Sequence, residues 1–323
     1  MRTSIFRLGA VLAFAAAAAA APAHAQDYPA KPLTVVVPFA AGSGTDQQAR
    51  SFAQALTVEY KVPVIVENRA GASGFLAAQY VAKAAPDGYT LLMTTNTTHA
   101  ANEHLYKKLP YDPVKDFTPV GLLSKGHMLL LVGAESPIKS VADLVAAAKK
   151  SPGKLNFGSG SSSSRVASEL LKQMAGIDMV NVPYKSNPMA ITDLLGGQVD
   201  FMFADAPTAL PHVKSGKLRA LAVSGDKRLA AVPALPTVAE AGVKGYDMSY
   251  WTAVYLPPGA PAAVTRKLNE MLIKVSASPA IVAYQAISSG EAATGTPEAL
   301  AQFQAAESQK WGRVIRAAGI EPE

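Results

Sequence analysis

The sequence predicts an α/β protein built as two units in series. Three observations carry this. Short β-branched apolar runs alternate with segments of helical period, the alternation stops and restarts near the middle of the chain, and turns rich in Gly, Ser and Thr follow the strands.

The first unit opens with Leu33–Val37, a buried strand by composition that follows Pro32. A turn at 41–45 leads to a helix over 46–60, with Ala49, Phe52, Ala53 and Leu56 on one face. A strand at 64–66, a helix at 74–84, a turn at Asp87-Gly88 and a strand at 89–93 complete a β-α-β-α-β order. The second unit begins with a strand at 128–132 and a helix capped by Ser140, with Asp143 three residues on as an acidic variant of the capping box. Strands at 155–158, 179–182, 199–204 and Leu218–Val223 follow. They alternate with a helix at 165–175 that Gly176 ends and a helix opened by Asn187-Pro188 that stops at Gly196. Next come a helix start at Thr237–Glu240 in capping-box form, a strand at Ser249–Leu256, a helix after Pro261 and a last helix after Thr296-Pro297. That last helix has no strand of its own and must pack back on the first unit. The chain therefore crosses twice, near 118–125 and within 222–256.

The bulk numbers narrow the function. The 323 residues are 49% hydrophobic, enough for two modest domains. Arg2 and Arg7, the apolar run 8–21 and Ala23-His24-Ala25 read as a signal peptide over 1–25, cleaved before Gln26. No other stretch is long and apolar enough to span a bilayer. The expectation is an exported, periplasmic protein. The absence of cysteine excludes thiolate metal sites and cysteine nucleophiles. Losing Arg2 and Arg7 takes the formal charge from +6 to +4, mildly favourable to anions. Basic residues form no run, which argues against nucleic acid. No second large apolar face is evident, so a monomer is expected.

In open α/β sheets, ligands sit at the carboxyl ends of the strands, where helix N-termini point. Four loops hold that position: 39–46, 94–99, 159–164 and 204–207. Their glycines let backbone amides approach a ligand, and their hydroxyls add donors. Together with helix starts they make an anion site without arginine. Gly42-Ser43-Gly44 lacks both the Lys-Ser/Thr ending of a P-loop and the G-x-G-x-x-G spacing. His99, the serines 161–164 and Asp205 could compose a hydrolytic triad, but no G-x-S-x-G elbow is present. The histidines lack metal-ligand spacing, and no cofactor is implied.

Ordered motifs along the mature chain resemble a known family. Pro38-Phe39-Ala40-Ala41-Gly42-Ser43-Gly44-Thr45-Asp46, followed by Ala49-Arg50, is similar to the opening of the Bug proteins, the TctC-like extracytoplasmic receptors of tripartite tricarboxylate transporters. Val66-Glu67-Asn68-Arg69-Ala70-Gly71, Pro86-Asp87-Gly88-Tyr89, Val182-Pro183-Tyr184-Lys185, Leu218-Arg219-Ala220-Leu221 and Pro236-Thr237-Val238-Ala239-Glu240 continue the likeness. The sequence departs at Ala40-Ala41, where a proline-containing pair is usual, and at 185–187, which lack a glycine.

The resemblance implies two Rossmann-like lobes joined by two crossings, a type II periplasmic binding protein or Venus flytrap. Lobe 1 would hold 26–124 plus about 250–323, and lobe 2 about 125–249. It implies a small organic carboxylate as ligand, membrane subunits of the transporter as partners, and no catalysis. Carried over by position, Phe39, Ala40, Gly42, Ser43, Gly44, Thr45 and Asp46 would bind from the first loop, and Thr95, Asn96 and Thr97 from the second. Ser159, Ser162, Ser163 and Asp205 would bind from the second lobe. A dicarboxylate, an aromatic carboxylate and an amino acid all fit. Two other readings share these residues: a ligand-responsive partner of a membrane sensor kinase, and an exported serine hydrolase.

Overall fold

The computed structural model describes residues 28–288 and 290–323, so the expected signal peptide lies outside the described residues. The first β-branched run forms β1 (Leu33–Val37), with every side chain but Thr34 buried. Burial on both faces is what a continuous apolar strand of a parallel sheet requires. β1 lies between β2 (Val64–Asn68) and β3 (Thr90–Thr95), parallel to both. Helix α1 (Gly44–Tyr60) starts where the Ser43 hydroxyl accepts from the Asp46 amide at 3.3 Å. It ends at Lys61, which adopts a left-handed φ of 57°. Helix α2 (Phe75–Ala82) links β2 to β3. After β3 come a π-helical turn (Thr97–Ala101) and the short helix α3 (Asn102–Leu105).

The second set follows in the order β4 (Thr118–Gly133), α4 (Val141–Lys150), β5 (Asn156–Ser159), α5 (Ser162–Ala175), β6 (Val180–Pro183), α6 (Asn187–Leu195), β7 (Phe201–Asp205), α7 (Ala206–Lys214) and β8 (Leu218–Val223). The chain then returns through β9 (Ser249–Leu256), α8 (Ala262–Ser276), α9 (Pro279–Ser288), β10 (Glu291–Ala292) and α10 (Pro297–Ala317). The main strand order is β2-β1-β3-β9-β4-β7-β5-β6. In each set the first parallel strand lies between the second and the third: β1 between β2 and β3, and β5 between β6 and β7.

Strand β4 belongs to both sets. Its first part, 118–127, pairs antiparallel with β9, and its second part, 128–133, pairs antiparallel with β7 and β8. The register decides where the strand ends meet. Thr95, the last residue of β3, stands opposite Thr252, which stands opposite Ser124 on β4. Four residues on, Met128 stands opposite Asp205, the last residue of β7. The carboxyl ends of both parallel sets therefore converge on 124–128. The same strand also divides the core by its period of two. Met128, Leu130 and Val132 pack with Phe157, Phe201 and Phe203, while Leu129 and Leu131 pack with Met202, Ala204 and Leu210.

Several elements differ from the sequence reading. Residues 118–127 are strand, not connection; Gly121, Ser124 and Gly126 disguise them, and two register shifts against β9 break the alternation. The capping box at 237–240 forms both reciprocal bonds: Glu240 N to Thr237 Oγ1 at 3.0 Å, and Thr237 N to Glu240 Oε2 at 2.8 Å. It nevertheless remains a turn, because Gly242 follows at φ 114°. At Ser140 the hydroxyl accepts from the Asp143 amide, but the Asp143 carboxylate accepts from Lys139 and not from Ser140. Helices α7 and α9 have no counterpart in the sequence reading. Pro207 and Pro211 conceal the first.

Leu130 is fully buried at the centre of β4. Leu130→Ala is expected to cost about 2–5 kcal/mol of unfolding free energy, read as a lower urea midpoint.

Candidate ligand-binding site

The convergence at 124–128 opens a cavity of about 660 Å³, its mouth included. Phe39, Ser43, Gly44 and Thr45 line it from the β1–α1 loop, and Thr95 and Thr97 from the end of β3. Gly160, Ser161 and Ser163 enter from the start of α5, and Asp205 and Pro207 from the start of α7. All four loops singled out by composition thus open onto one space.

Two helix starts supply donors. At α1 the Ser43 hydroxyl takes the Asp46 amide, and at α5 the Ser161 hydroxyl takes the Ser164 amide at 3.2 Å. The amides of Gly44, Thr45, Ser162 and Ser163 have no acceptor among the described residues. First-turn amides carry the positive end of the helix dipole, which favours an anion. Glycine is required at two places. A Cβ on Gly160 would stand 2.1 Å from the Ser186 backbone, and one on Gly44 would stand 2.2 Å from Asp205 Oδ2. Side chains there would push the facing loops apart.

Six residues of the sequence-derived set do not line the cavity. The Asp46 carboxylate faces away from it. Gly42 N donates to its Oδ2 at 2.9 Å, Asn68 Nδ2 to its Oδ1 at 2.9 Å, and Arg50 Nε to Oδ2 at 3.1 Å. Burial opposes ionisation of Asp46, but Arg50, the Gly42 amide and Asn68 outweigh it and hold the carboxyl below its ordinary value. Asp46 therefore shapes the loop that carries Ser43–Thr45. Gly42 turns that loop at φ 80°, and Ala40 supplies the carbonyl that accepts from Ser43 N at 3.1 Å. Asn96 donates to Ser163 Oγ at 2.7 Å and accepts from Trp251 N at 3.2 Å. Ser162 donates to Asn102 Oδ1 at 2.8 Å, and Ser159 to Asn181 Oδ1 at 2.6 Å. Asn96 and Ser162 thereby tie α5 to the segment after β3. Lys185 is exposed and away from the cavity, and Tyr184 donates to Asp193 at 2.7 Å.

Other lining residues come from positions the sequence reading did not mark. Gln48 on α1 donates to Ser124 Oγ at 2.9 Å, and Ser124 and Thr252 share a hydrogen bond of 2.9 Å across β4–β9. Helix α9 brings Tyr284, Gln285 and Ser288. A buried glutamine and the pair of facing β-strand hydroxyls are the only signals of this wall in the sequence, and neither is distinctive alone. Buried polar atoms need partners. Three lining residues on separate elements hold buried polar atoms with none among the described residues: Thr97 Oγ1, Asn187 Oδ1 and Gln285 Nε2.

The hydrolytic arrangement does not form. His99 is fully buried, stacks on Tyr255 at 4.0 Å and shares a 2.8 Å hydrogen bond with Thr98 through Nδ1. Burial lowers its pKa to about 3, so it is a neutral core residue. Among the described residues no acidic or histidine cluster could hold a metal ion, and no helix is long and apolar enough to cross a membrane.

A family model described as the tripartite tricarboxylate transporter family receptor matches residues 48–320. The chain belongs to this family. Its members are solute-binding receptors and not enzymes. The R. palustris protein Rpa4515, solved with adipate, is 36% identical with a TM-score of 0.90, covering 92% of this chain and all of that one. MatC from Rhodopseudomonas palustris, solved with malate, is 33% identical with a TM-score of 0.85, covering 89% of this chain and 100% of its own. The periplasmic binding protein BugD is 32% identical with a TM-score of 0.87, over 92% of this chain and 100% of that chain. The fold is that of the periplasmic binding proteins.

Because the Asp46 pKa is depressed on folding, its ionised form adds stability above the unfolded pKa of about 3.9, and that stability is lost as pH falls through the folded value. Asp46→Asn is expected to lose about 1–3 kcal/mol at pH 7. The gap to wild type should close below about pH 4, checked by urea unfolding across pH.

Proposed function

We propose that this receptor captures a small organic carboxylate, a dicarboxylate or an aromatic carboxylate, in the periplasm and presents it to the membrane subunits of a tripartite tricarboxylate transporter. The observation that carries the reading is a cavity lined by no Lys, Arg or His, where two helix starts place the unpaired amides of Gly44, Thr45 and Ser163. Such donors hold a carboxylate without a counter-cation, because preorganised dipoles replace its lost hydration. The orphaned atoms of Thr97 and Gln285 add side-chain donors from two further elements. The adipate and malate held by the two R. palustris relatives support a dicarboxylate.

In this reading residues 1–25 direct export. The two strand sets act as lobes, one of 26–124 with about 250–323 and the other about 125–249, and the protein works as a monomer. Ligand bridges the first-set donors at 43–45 and 95–97 to the second-set donors at 161–163. It thereby favours the closed arrangement, and a shifted population is the signal a membrane partner reads.

Thermal unfolding against millimolar carboxylic acids tests this, since a ligand bound only to the folded state raises its stability. A shift confined to carboxylates is expected. No shift with aliphatic or aromatic acids, from protein shown by mass spectrometry to be ligand-free, would reject it. Thr95→Ala and Thr97→Ala are each expected to weaken binding of the preferred acid by about 1–3 kcal/mol, measured by calorimetry.

A further inference from the structure

The helix starts supply donors to the cavity. Beside Gly44 and Gly160, where Asp205 and Asn187 approach, stands a group of acceptors. Asp205 is the only ionisable group with a formal charge at neutral pH among the described lining residues. It caps α7, where its Oδ2 accepts from Thr208 N at 3.3 Å and also from the Thr208 hydroxyl. Its Oδ1 accepts from Asn187 Nδ2 at 2.7 Å. A carboxylate has roughly four acceptor positions, and three are filled, which leaves one on Oδ1. A carboxylate cannot donate, so the amide nitrogen of Asn187 must be the atom that faces it. This fixes the amide orientation and leaves Asn187 Oδ1 as a buried acceptor without a partner among the described residues. Asn187 is only 7% exposed and lines the cavity.

Neighbouring hydroxyls do not fill these positions. Tyr284 Oη donates to the Gly44 carbonyl at 3.3 Å. Tyr250 lines the same cavity and makes no hydrogen bond to Asp205 or Asn187 among the described residues. Burial first, and the Asp205 charge next, keep both phenols protonated. This corner of the cavity thus combines a negative charge with two unfilled acceptor positions. A second ligand carboxylate placed there would meet a like charge.

We propose that the ligand carries, besides the carboxylate held at the helix starts, a hydrogen-donating group, an ammonium or a hydroxyl, that docks between Asp205 Oδ1 and Asn187 Oδ1. This rests on the carboxylate reading and makes Asp205 and Asn187 the residues that select substituted acids over plain ones. An ammonium would also neutralise Asp205, whereas a hydroxyl would satisfy the acceptors without changing the charge.

The test is calorimetric titration of the purified, ligand-free protein with propionate, succinate, glutarate and adipate, each beside its 2-amino and 2-hydroxy counterpart. At the chain length bound best, the amino or hydroxy acid is expected to bind at least tenfold tighter than the unsubstituted acid, and the two counterparts identify the donor. Asp205→Asn is expected to erase that preference, lowering affinity for the amino or hydroxy acid at least tenfold more than affinity for the unsubstituted acid. Asparagine is itself a strong helix cap, so α7 keeps its start, and the unliganded melting temperature checks this. Asn187→Ala should reduce the same preference without altering charge. An unsubstituted acid that binds as tightly as its counterparts, or an equal loss for all three in Asp205→Asn, would overturn the proposal and leave the carboxylate reading intact. Absence of binding by every acid would sink both.

Discussion

The pairing of β4 with its neighbours is the constraint on which the rest of the structure depends. One strand of 16 residues is hydrogen-bonded to β9 over its first part and to β7 and β8 over its second. A strand has a direction, so this sharing decides which ends of the two parallel sets face each other. The set containing β3 runs toward 124 from one side, and the set containing β7 runs toward 128 from the other. Helices that follow parallel strands begin at their carboxyl ends. The starts of α1, α5 and α7 therefore come together, and side-chain bonds such as Asn96 to Ser163 and Asn187 to Asp205 add to that arrangement.

Local chemistry then decides which groups remain available. The capping hydroxyls of Ser43 and Ser161 each occupy one amide of their own helix, leaving the amides of Gly44, Thr45 and Ser163 unpaired at the cavity. Asp46 is the clearest case of a charged residue that sits beside a binding loop and serves only its shape. Its carboxylate is enclosed by Gly42, Asn68 and Arg50, so its charge is spent within the loop. Asn96 and Ser162 are similar: their polar atoms join elements across the molecule and have little left for a solute.

Much of this was legible in the sequence, for identifiable reasons. Leu33–Val37, Leu218–Val223 and Ser249–Leu256 are strands over the residues that composition marks, because they are apolar runs bounded by turn residues. The caps at Ser140 and Thr296 are local chemistry and form where the sequence places them, whereas Ser43 and Ser161 cap their helices ahead of the starts read at 46 and 165. What escaped was non-local or concealed. The first part of β4 has glycine and lysine where alternation would place apolar residues, and only its partner β9 makes it a strand. Helix α9 reaches the cavity from 240 residues beyond Gly44, with Tyr284 donating to that glycine's carbonyl. No local pattern announces such a contact. The box at 237–240 shows the converse, a complete local signal stopped by the glycine two residues later.

The donors and acceptors of the cavity also differ in how mutation can reach them. The amides of Gly44, Thr45 and Ser163 belong to the backbone: any residue but proline keeps them at 45 and 163, and the approach of Asp205 holds position 44 to glycine. Asp205 and Asn187 present side-chain atoms, and a single-base change in either codon can replace them. Descent with modification can therefore redraw the acceptors of the site while its donors are preserved by the main chain itself. A lineage that duplicated this gene could explore new solutes in small steps, never passing through a protein that had lost its grip on the acid.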